Sequence, residues 1–281
     1  MTSHNDYVLG TRDDEMARLS RQHDLWRDEC ENAWTFGDIR SGSRVLDIGC
    51  GPGVATVDLA NIVGESGRVV GLELSPRYVE EAAKRLSQCN CKSSVHVHDL
   101  MKSPLPQELR GHFDFTWSRW VSMFVSRPEL IVDVAHDALV TGGCAIFHEY
   151  VEYESYALHP NGKGVSAFVR AAVHSFAEFG GNVNIGRRLP TLLCEKGFSI
   201  QRLRSIGKAL RPTDPLWHWP AGFIRTYAPT LVERGQLSSA DAAAAICEVN
   251  DAEASNSHGR AGAFIMPPTL LEIVARKDGA L

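Results

Sequence analysis

The stretch Asp47-Ile48-Gly49-Cys50-Gly51-Pro52-Gly53 has residue types suited to holding a nucleotide-bearing cofactor. Glycine permits backbone angles closed to other residues and lets a ligand approach the main chain without meeting a Cβ. Free N–H groups at the start of a following helix add a site for a polar or anionic group. The spacing is Gly-x-Gly-x-Gly, whereas the dinucleotide fingerprint is G-x-G-x-x-G/A, and Val54 stands where that fingerprint wants its third glycine. Asp47, two residues before the first glycine, would repel a pyrophosphate but suits a ligand with a cationic ammonium end; alternatively it braces the loop backbone. About twenty residues on, Glu73 offers two carboxylate oxygens that match two adjacent ribose hydroxyls. His148 and Glu149 are the candidates for taking a proton from an acceptor. An imidazole has the right ordinary pKa for such work near neutrality, although a His at a strand end serves equally as a hydrogen-bonded structural residue.

These groups need strands and helices to place them. The apolar run Arg44 to Ile48 reads as a buried strand and Val54 to Val63 as the helix after the glycine turn. Val69 to Glu73, Val95 to Asp99 and Phe113 to Arg119 read as the second, third and fourth strands. Cys144 to Phe147 follows the Gly142-Gly143 turn as the fifth. Ser75-Pro76 starts a helix running to about Gln88, with Tyr78, Ala82 and Leu86 facing the sheet, and Ser126-Arg127-Pro128-Glu129 starts another, with Leu130, Val134 and Leu139 buried. Residues 11–34 form a leading helix. Its stripe of Met16, Leu19, His23, Trp26, Cys30 and Trp34 packs on the sheet. Alternating strand and helix imply a parallel sheet flanked by helices, with ligands outside the carboxyl ends of the strands, where every group named above falls.

Asp47-x-Gly49-x-Gly51-x-Gly53, Glu73, Asp99 and Phe113 to Arg119 together resemble the ordered motifs of the class I S-adenosylmethionine (AdoMet) dependent methyltransferases, over residues 45–119. The resemblance implies a Rossmann-like, seven-stranded, mostly parallel α/β sheet with AdoMet as cofactor. It places Gly49, Cys50, Gly51 and Gly53 around the cofactor, Glu73 and Leu74 at the ribose, and Asp99 at the adenine amino group with Leu100 packing on the ring. Ser118 and Arg119 would border the methionine moiety, unless Arg119 pairs with a surface acid. The leader, with Tyr7, Arg18 and Gln22, is similar to the segment that folds over the cofactor in small-molecule methyltransferases. The family often carries an acid near the position of Glu149. Phe198 to Leu203 and Leu270 to Ala275 would be the sixth and seventh strands, the last an antiparallel edge.

The chain divides on this reading into a helical leader or lid (1–40), the AdoMet-binding core (41–150), and acceptor-side helices with the final strands of the same domain (151–281). Lys163 to Phe179 reads as a helix. Between the last two strands lie a Pro- and Trp-rich stretch, Arg211 to Pro229, and a helix from Ser238 to about Val249. This insertion is too long for a routine connection and is expected to cover the acceptor pocket. Tyr150, Tyr153, Trp217 and Trp219 are candidates for lining an aromatic acceptor's pocket, or equally for core packing; His159, His174 and His218 are weaker candidates for chemistry.

The 281 residues are 44% hydrophobic and 22% charged, as in an ordinary globular protein, and the net charge of −5 comes without a basic run. No nucleic-acid partner is expected from that balance. Nor is a signal peptide or bilayer-spanning segment, and seven cysteines then imply reduced thiols in the cytoplasm. Cys89-x-Cys91 lacks a partner cluster, so no metal is expected. The expected activity is methyl transfer from AdoMet to an O, N or C atom of a small-molecule acceptor. Its alternative is an AdoMet-binding enzyme of the same fold catalysing a cyclisation or rearrangement without methylation. A nicotinamide-dependent dehydrogenase is disfavoured by the glycine spacing and Asp47. The oligomeric state is open.

Overall fold

The computed structural model describes residues 13–160, 162–256 and 262–279. Helix α1 (Asp13–Gly37) leads into strand β1 (Arg44–Ile48), helix α2 (Val54–Val63), strand β2 (Arg68–Glu73), helix α3 (Pro76–Leu86) and strand β3 (Lys92–Val97). Strand β4 (Phe113–Arg119), helix α4 (Glu129–Ala138) and the long strand β5 (Leu139–Glu152) complete the alternating half. Then come strand β6 (Ala157–His159), helices α5 (Lys163–Glu178) and α6 (Leu189–Glu195), strand β7 (Phe198–Ile206), helices α7 (His218–Glu233) and α8 (Ser239–Asn256), and strands β8 (Phe264–Met266) and β9 (Thr269–Lys277).

Seven strands form one sheet in the order β3-β2-β1-β4-β5-β9-β7, and β6 pairs with β8 in a separate ribbon. All neighbours in the sheet are parallel except β9, which runs antiparallel to both β5 and β7. The last strand is therefore not the edge that the sequence reading expects. It inserts between β5 and β7, and its residues Leu270, Ile273, Val274 and Ala275 are all fully or almost fully buried, as a central strand requires.

The apolar runs have the burial that their patterns demand. On β5, Ala145 and Phe147 belong to the core layer shared with Ile131 and Ala135 of α4, while Cys144 and Ile146 pack with Cys30 and Trp34 of α1 and Leu59 of α2. Helix α3 starts as its sequence dictates: the Ser75 hydroxyl accepts the Tyr78 N–H at 3.4 Å, Pro76 occupies the first turn, and Tyr78, Ala82 and Leu86 are buried. Three local expectations shift. Helix α4 has Pro128, not Ser126, at its N-cap, and it buries Ile131, Val134 and Ala135 while Leu130 is half-buried and Leu139 opens β5. Strand β3 begins earlier and ends at Val97, leaving Asp99 in the turn beyond it.

The inserted helices are tied down by specific contacts. The Glu248 carboxylate on α8 accepts the N–H groups of Gly164 (2.8 Å) and Val165 (2.9 Å) in the first turn of α5. Gly164 also lets the two helices touch, since a Cβ there would lie 2.4 Å from the Ala245 nitrogen. Strands from both halves of the chain share the sheet, so the carboxyl ends of β1, β2, β4 and β5 and the helices above them enclose one space. No helix among the described residues is long and apolar enough to cross a membrane. All seven cysteines are unpaired.

Candidate active site

A cavity of about 260 Å³ opens at those strand ends, close to the size at which small-molecule sites begin, roughly 300 Å³. Its floor is the glycine loop. Gly49, Gly51 and Gly53 all have positive φ, of 71°, 56° and 81°, so each needs glycine for the turn itself. Their surroundings differ. A Cβ on Gly49 would lie 2.4 Å from Val121 Cγ2, and one on Gly53 would lie 2.7 Å from Ala82 Cβ, whereas one on Gly51 would meet nothing within 4 Å. Gly51 thus presents bare backbone to open space. Gly49, Cys50 and Gly51 line the cavity; Gly53 does not, and serves instead as the N-cap of α2 packed on α3.

The acids stand around this floor. One Glu73 oxygen accepts the Gly51 N–H at 3.0 Å and the other the Ser75 N–H at 2.8 Å. Each carboxylate oxygen can accept a second bond, so the group retains capacity for two hydroxyls on its cavity side. Burial raises its pKa, opposed by those backbone donors. Asp47 is almost wholly buried, accepts the Thr56 hydroxyl at 2.7 Å, and is pushed up to about 7 by burial. A cation above it would restore its charge. Asp99 accepts the Met101 N–H at 3.0 Å and pairs with Lys102 at 2.9 Å; burial pushes its pKa up, but these partners outweigh it and hold the carboxyl below its ordinary value. Leu74 and Leu100 line the cavity beside Glu73 and Asp99.

Arg119 reaches the cavity from the end of β4, and a chain of hydrogen bonds fixes it. Its guanidinium donates to His23 Nδ1 at 2.8 Å and to Cys30 Sγ at 2.8 Å, and lies over the Trp120 ring at 5.0 Å. Because His23 Nδ1 accepts, Nε2 carries the proton and donates to Asp58 at 2.8 Å, with Arg27 on the same carboxylate. Burial, the largest influence, lowers the His23 pKa against the pull of Asp58, which agrees with a neutral ring. His23 itself lines the cavity; its helical spacing marked it only as part of the packing stripe. Arg18, about a turn earlier on α1, and Gln22, the residue before His23, also line it. Arg18 grips Glu15 through two bonds of 2.7 Å and donates to Gln22 at 2.6 Å, and Gln22 accepts the Trp219 indole N–H at 3.0 Å. Tyr7 lies outside the described residues.

Away from the acids the wall is aromatic. Trp120 stacks on Trp219 with centroids 5.8 Å apart and meets Tyr150 at 5.6 Å; Tyr150 meets Tyr153 at 5.3 Å, and Tyr153 meets Phe176 at 6.4 Å. Helix α7 supplies Trp219, Pro220 and Phe223, so the insertion does cover this end. Trp217 is fully buried away from it. Tyr78, His98 and Met101 line the cavity without having been singled out for it from sequence.

Several candidates lie outside the cavity lining. His148 and Glu149 both sit at the end of β5, but neither side chain is among those lining the cavity. His148 lies on the α1 side of the sheet, edge-on to Trp117 at 4.8 Å, and its Nε2 meets Glu272 at 3.2 Å. Glu272 in turn pairs with Arg202 (2.9 Å) and Arg204 (2.8 Å), and burial keeps the imidazole neutral by lowering its pKa. Glu149 lies on the opposite side. One of its oxygens accepts the N–H groups of Val121 (2.8 Å) and Ser122 (2.6 Å), and burial raises its pKa to about 7. It fixes the turn after β4, where Trp120 takes a positive φ of 53°, uncommon for a bulky side chain. Glu149 is thus a positioning residue for that wall. Ser118 is buried and does not line the cavity.

A mostly parallel sheet whose strand ends hold a glycine loop, acids and a covered aromatic wall is a Rossmann-like arrangement. Residues 45–143 match the methyltransferase domain family. It is 30% identical over 175 residues to a 37.1 kDa protein of transposon TN4556 from Streptomyces fradiae, spanning 62% of this chain and 48% of that one. It is 37% identical over 94 residues to demethylmenaquinone methyltransferase from Lactococcus lactis, spanning 34% of this chain and 35% of that one. The chain thus spans about half or less of the length of these curated relatives. Geranyl diphosphate C-methyltransferase from Streptomyces coelicolor shares the fold, with a TM-score of 0.55 and 17% identity over 91% of this chain and 77% of that one.

Proposed function

We propose that the protein transfers a methyl group from AdoMet to a small-molecule acceptor, with the glycine loop and acids holding the cofactor and the aromatic wall holding the acceptor. The observation that carries this reading is the bare backbone of Gly51 facing the same cavity as Glu73, Asp99 and Arg119. Glu73 would take the ribose hydroxyls, Asp99 with Leu100 the adenine, and Arg119 the methionine carboxylate, with Asp47 favouring its ammonium. AdoMet bound there would supply an electrophilic methyl group on a sulfonium. This chain's part is then positioning. Holding an acceptor atom in line and excluding water can lower a barrier by about 7–11 kcal/mol. That demand fits a covered cavity with rigid walls, and it does not oblige the chain to supply a proton-transfer group. None of the lining side chains requires Glu149 or His148 for such a role. The curated relative from Lactococcus, a methyltransferase by name, supports the chemistry.

The test is incubation of the purified protein with methyl-labelled AdoMet and fractionated extract from its source. Label in the small-molecule fraction is expected. Label in protein or RNA would overturn the acceptor class, and AdoMet binding without transfer to any fraction would favour the non-methylating alternative.

A further inference from the structure

We propose that the acceptor is an uncharged, ring-bearing molecule whose oxygen is hydrogen-bonded by the hydroxyls of Tyr150 and Tyr153. The inference rests on the methyltransferase reading and names its substrate class. Two observations carry it. First, the charged side chains lining the cavity come from α1, the glycine loop and the ends of β2, β3 and β4, while from Trp120 to Pro268 the lining residues carry no charge. The two cations nearest that end are engaged, Arg18 with the Glu15 carboxylate and Arg119, on the methyltransferase reading, with the methionine carboxylate, so an acceptor's carboxylate or phosphate would lose its hydration without a free cation to gain. A cationic acceptor would likewise lose its hydration there without gaining a carboxylate, since Glu149 does not line the cavity.

Second, the hydroxyls of this wall divide into two kinds. Tyr156 is committed, donating to the Pro220 carbonyl at 2.5 Å, and Tyr227 behind the wall is paired with Ser175 at 3.0 Å. Tyr150 and Tyr153 are 8% and 3% exposed, line the cavity, and make no hydrogen bond to any described residue. Buried phenols ordinarily find a partner, and these two belong to neighbouring rings of the same wall, 5.3 Å apart at their centres. The rings of Trp120, Tyr150, Tyr153, Phe176 and Trp219 lining this end favour a ring over a flexible chain, since offset and edge contacts between rings add to simple burial.

The experiment is calorimetric titration of the protein saturated with S-adenosylhomocysteine, using three probes of one ring size: 2-naphthol, 2-naphthoate and 2-naphthylmethylammonium. The expected result is 2-naphthol binding at least about tenfold more tightly than either ion. The double substitution Tyr150→Phe with Tyr153→Phe should weaken 2-naphthol about tenfold while leaving S-adenosylhomocysteine affinity unchanged. Equal or tighter binding of a charged probe, no binding of 2-naphthol, or unchanged 2-naphthol affinity in the double variant would overturn the proposal. Failure of S-adenosylhomocysteine itself to bind the wild-type protein would instead overturn the underlying methyltransferase reading.

Discussion

Glu149 offers a sharp separation between a positioning acid and a proton-transfer acid. Its carboxyl is wholly buried, accepts the Val121 and Ser122 N–H groups, and is moved by burial from its ordinary 4.5 to about 7. Below pH 4.5 it is neutral in both the folded and the unfolded chain. Between 4.5 and about 7 the unfolded chain ionises while the folded one holds its proton, so the folded state loses stability as pH rises. Above about 7 the full deficit remains, about 3 kcal/mol at roughly 1.4 kcal/mol for each tenfold change. In Glu149→Gln the amide oxygen can accept the same two N–H groups and cannot ionise. The variant should therefore match the wild type near pH 4.5 and exceed it by up to about 3 kcal/mol at pH 8, the hydrogen bonds to the ionised carboxylate being already included in the value of about 7. Urea denaturation of both proteins at pH 4.5, 6 and 8 measures this directly. Asp47, which burial also raises to about 7, titrates in both proteins and cancels in the difference. A difference that does not change with pH would refute the argument. So would a variant that matches the wild type in stability at every pH but has lost turnover.

The two loop glycines should respond in opposite ways. Alanine at Gly51 carries only the cost of a positive φ, about 1–2 kcal/mol, but puts its methyl into the cavity, so S-adenosylhomocysteine affinity should fall at least about tenfold with most stability kept. Alanine at Gly49 adds a collision with Val121 and should cost more stability in the same denaturation assay; equal unfolding of the two variants would contradict this. His148→Gln should keep turnover close to normal and lose about 1–3 kcal/mol of stability, because Glu272 keeps Arg202 and Arg204 but loses one buried partner. Loss of turnover at unchanged stability would restore a catalytic role to this histidine.

The glycine-loop end of the cavity was legible because its signals are local. A positive-φ glycine, an acid at a strand end and a capped helix start are each fixed by a few consecutive residues, and Gly49, Gly51, Glu73 and Asp99 fall where the sequence puts them. His148 was not legible for a definite reason. Strand periodicity says that it shares a face with Ile146, but both faces of β5 are covered, so alternation alone does not tell which face meets the cavity. The placement of Glu149 was hidden similarly: an acid at a strand end reads as facing the ligand space until its partners, the N–H groups after β4, are seen. The aromatic wall is built from Trp120, Tyr150, Phe176 and Trp219, residues far apart in the chain, and no spacing rule links them. His23 could have been found. A histidine on an otherwise apolar helical stripe needs a polar partner, and Asp58 on α2 together with Arg119 supplies it. The central place of β9 depends on long-range pairing that sequence pattern does not encode.

Calorimetric titration of the wild-type protein and of Glu73→Ala with AdoMet tests the central claim most directly, with circular dichroism confirming that both are folded. One-to-one binding by the wild type, weakened at least about tenfold in Glu73→Ala, is the predicted result, since the substitution removes the acceptor for the ribose hydroxyls and for the Gly51 N–H. Absence of binding by the wild type, or equal affinity in the two folded proteins, would contradict the account of this cavity as an AdoMet site.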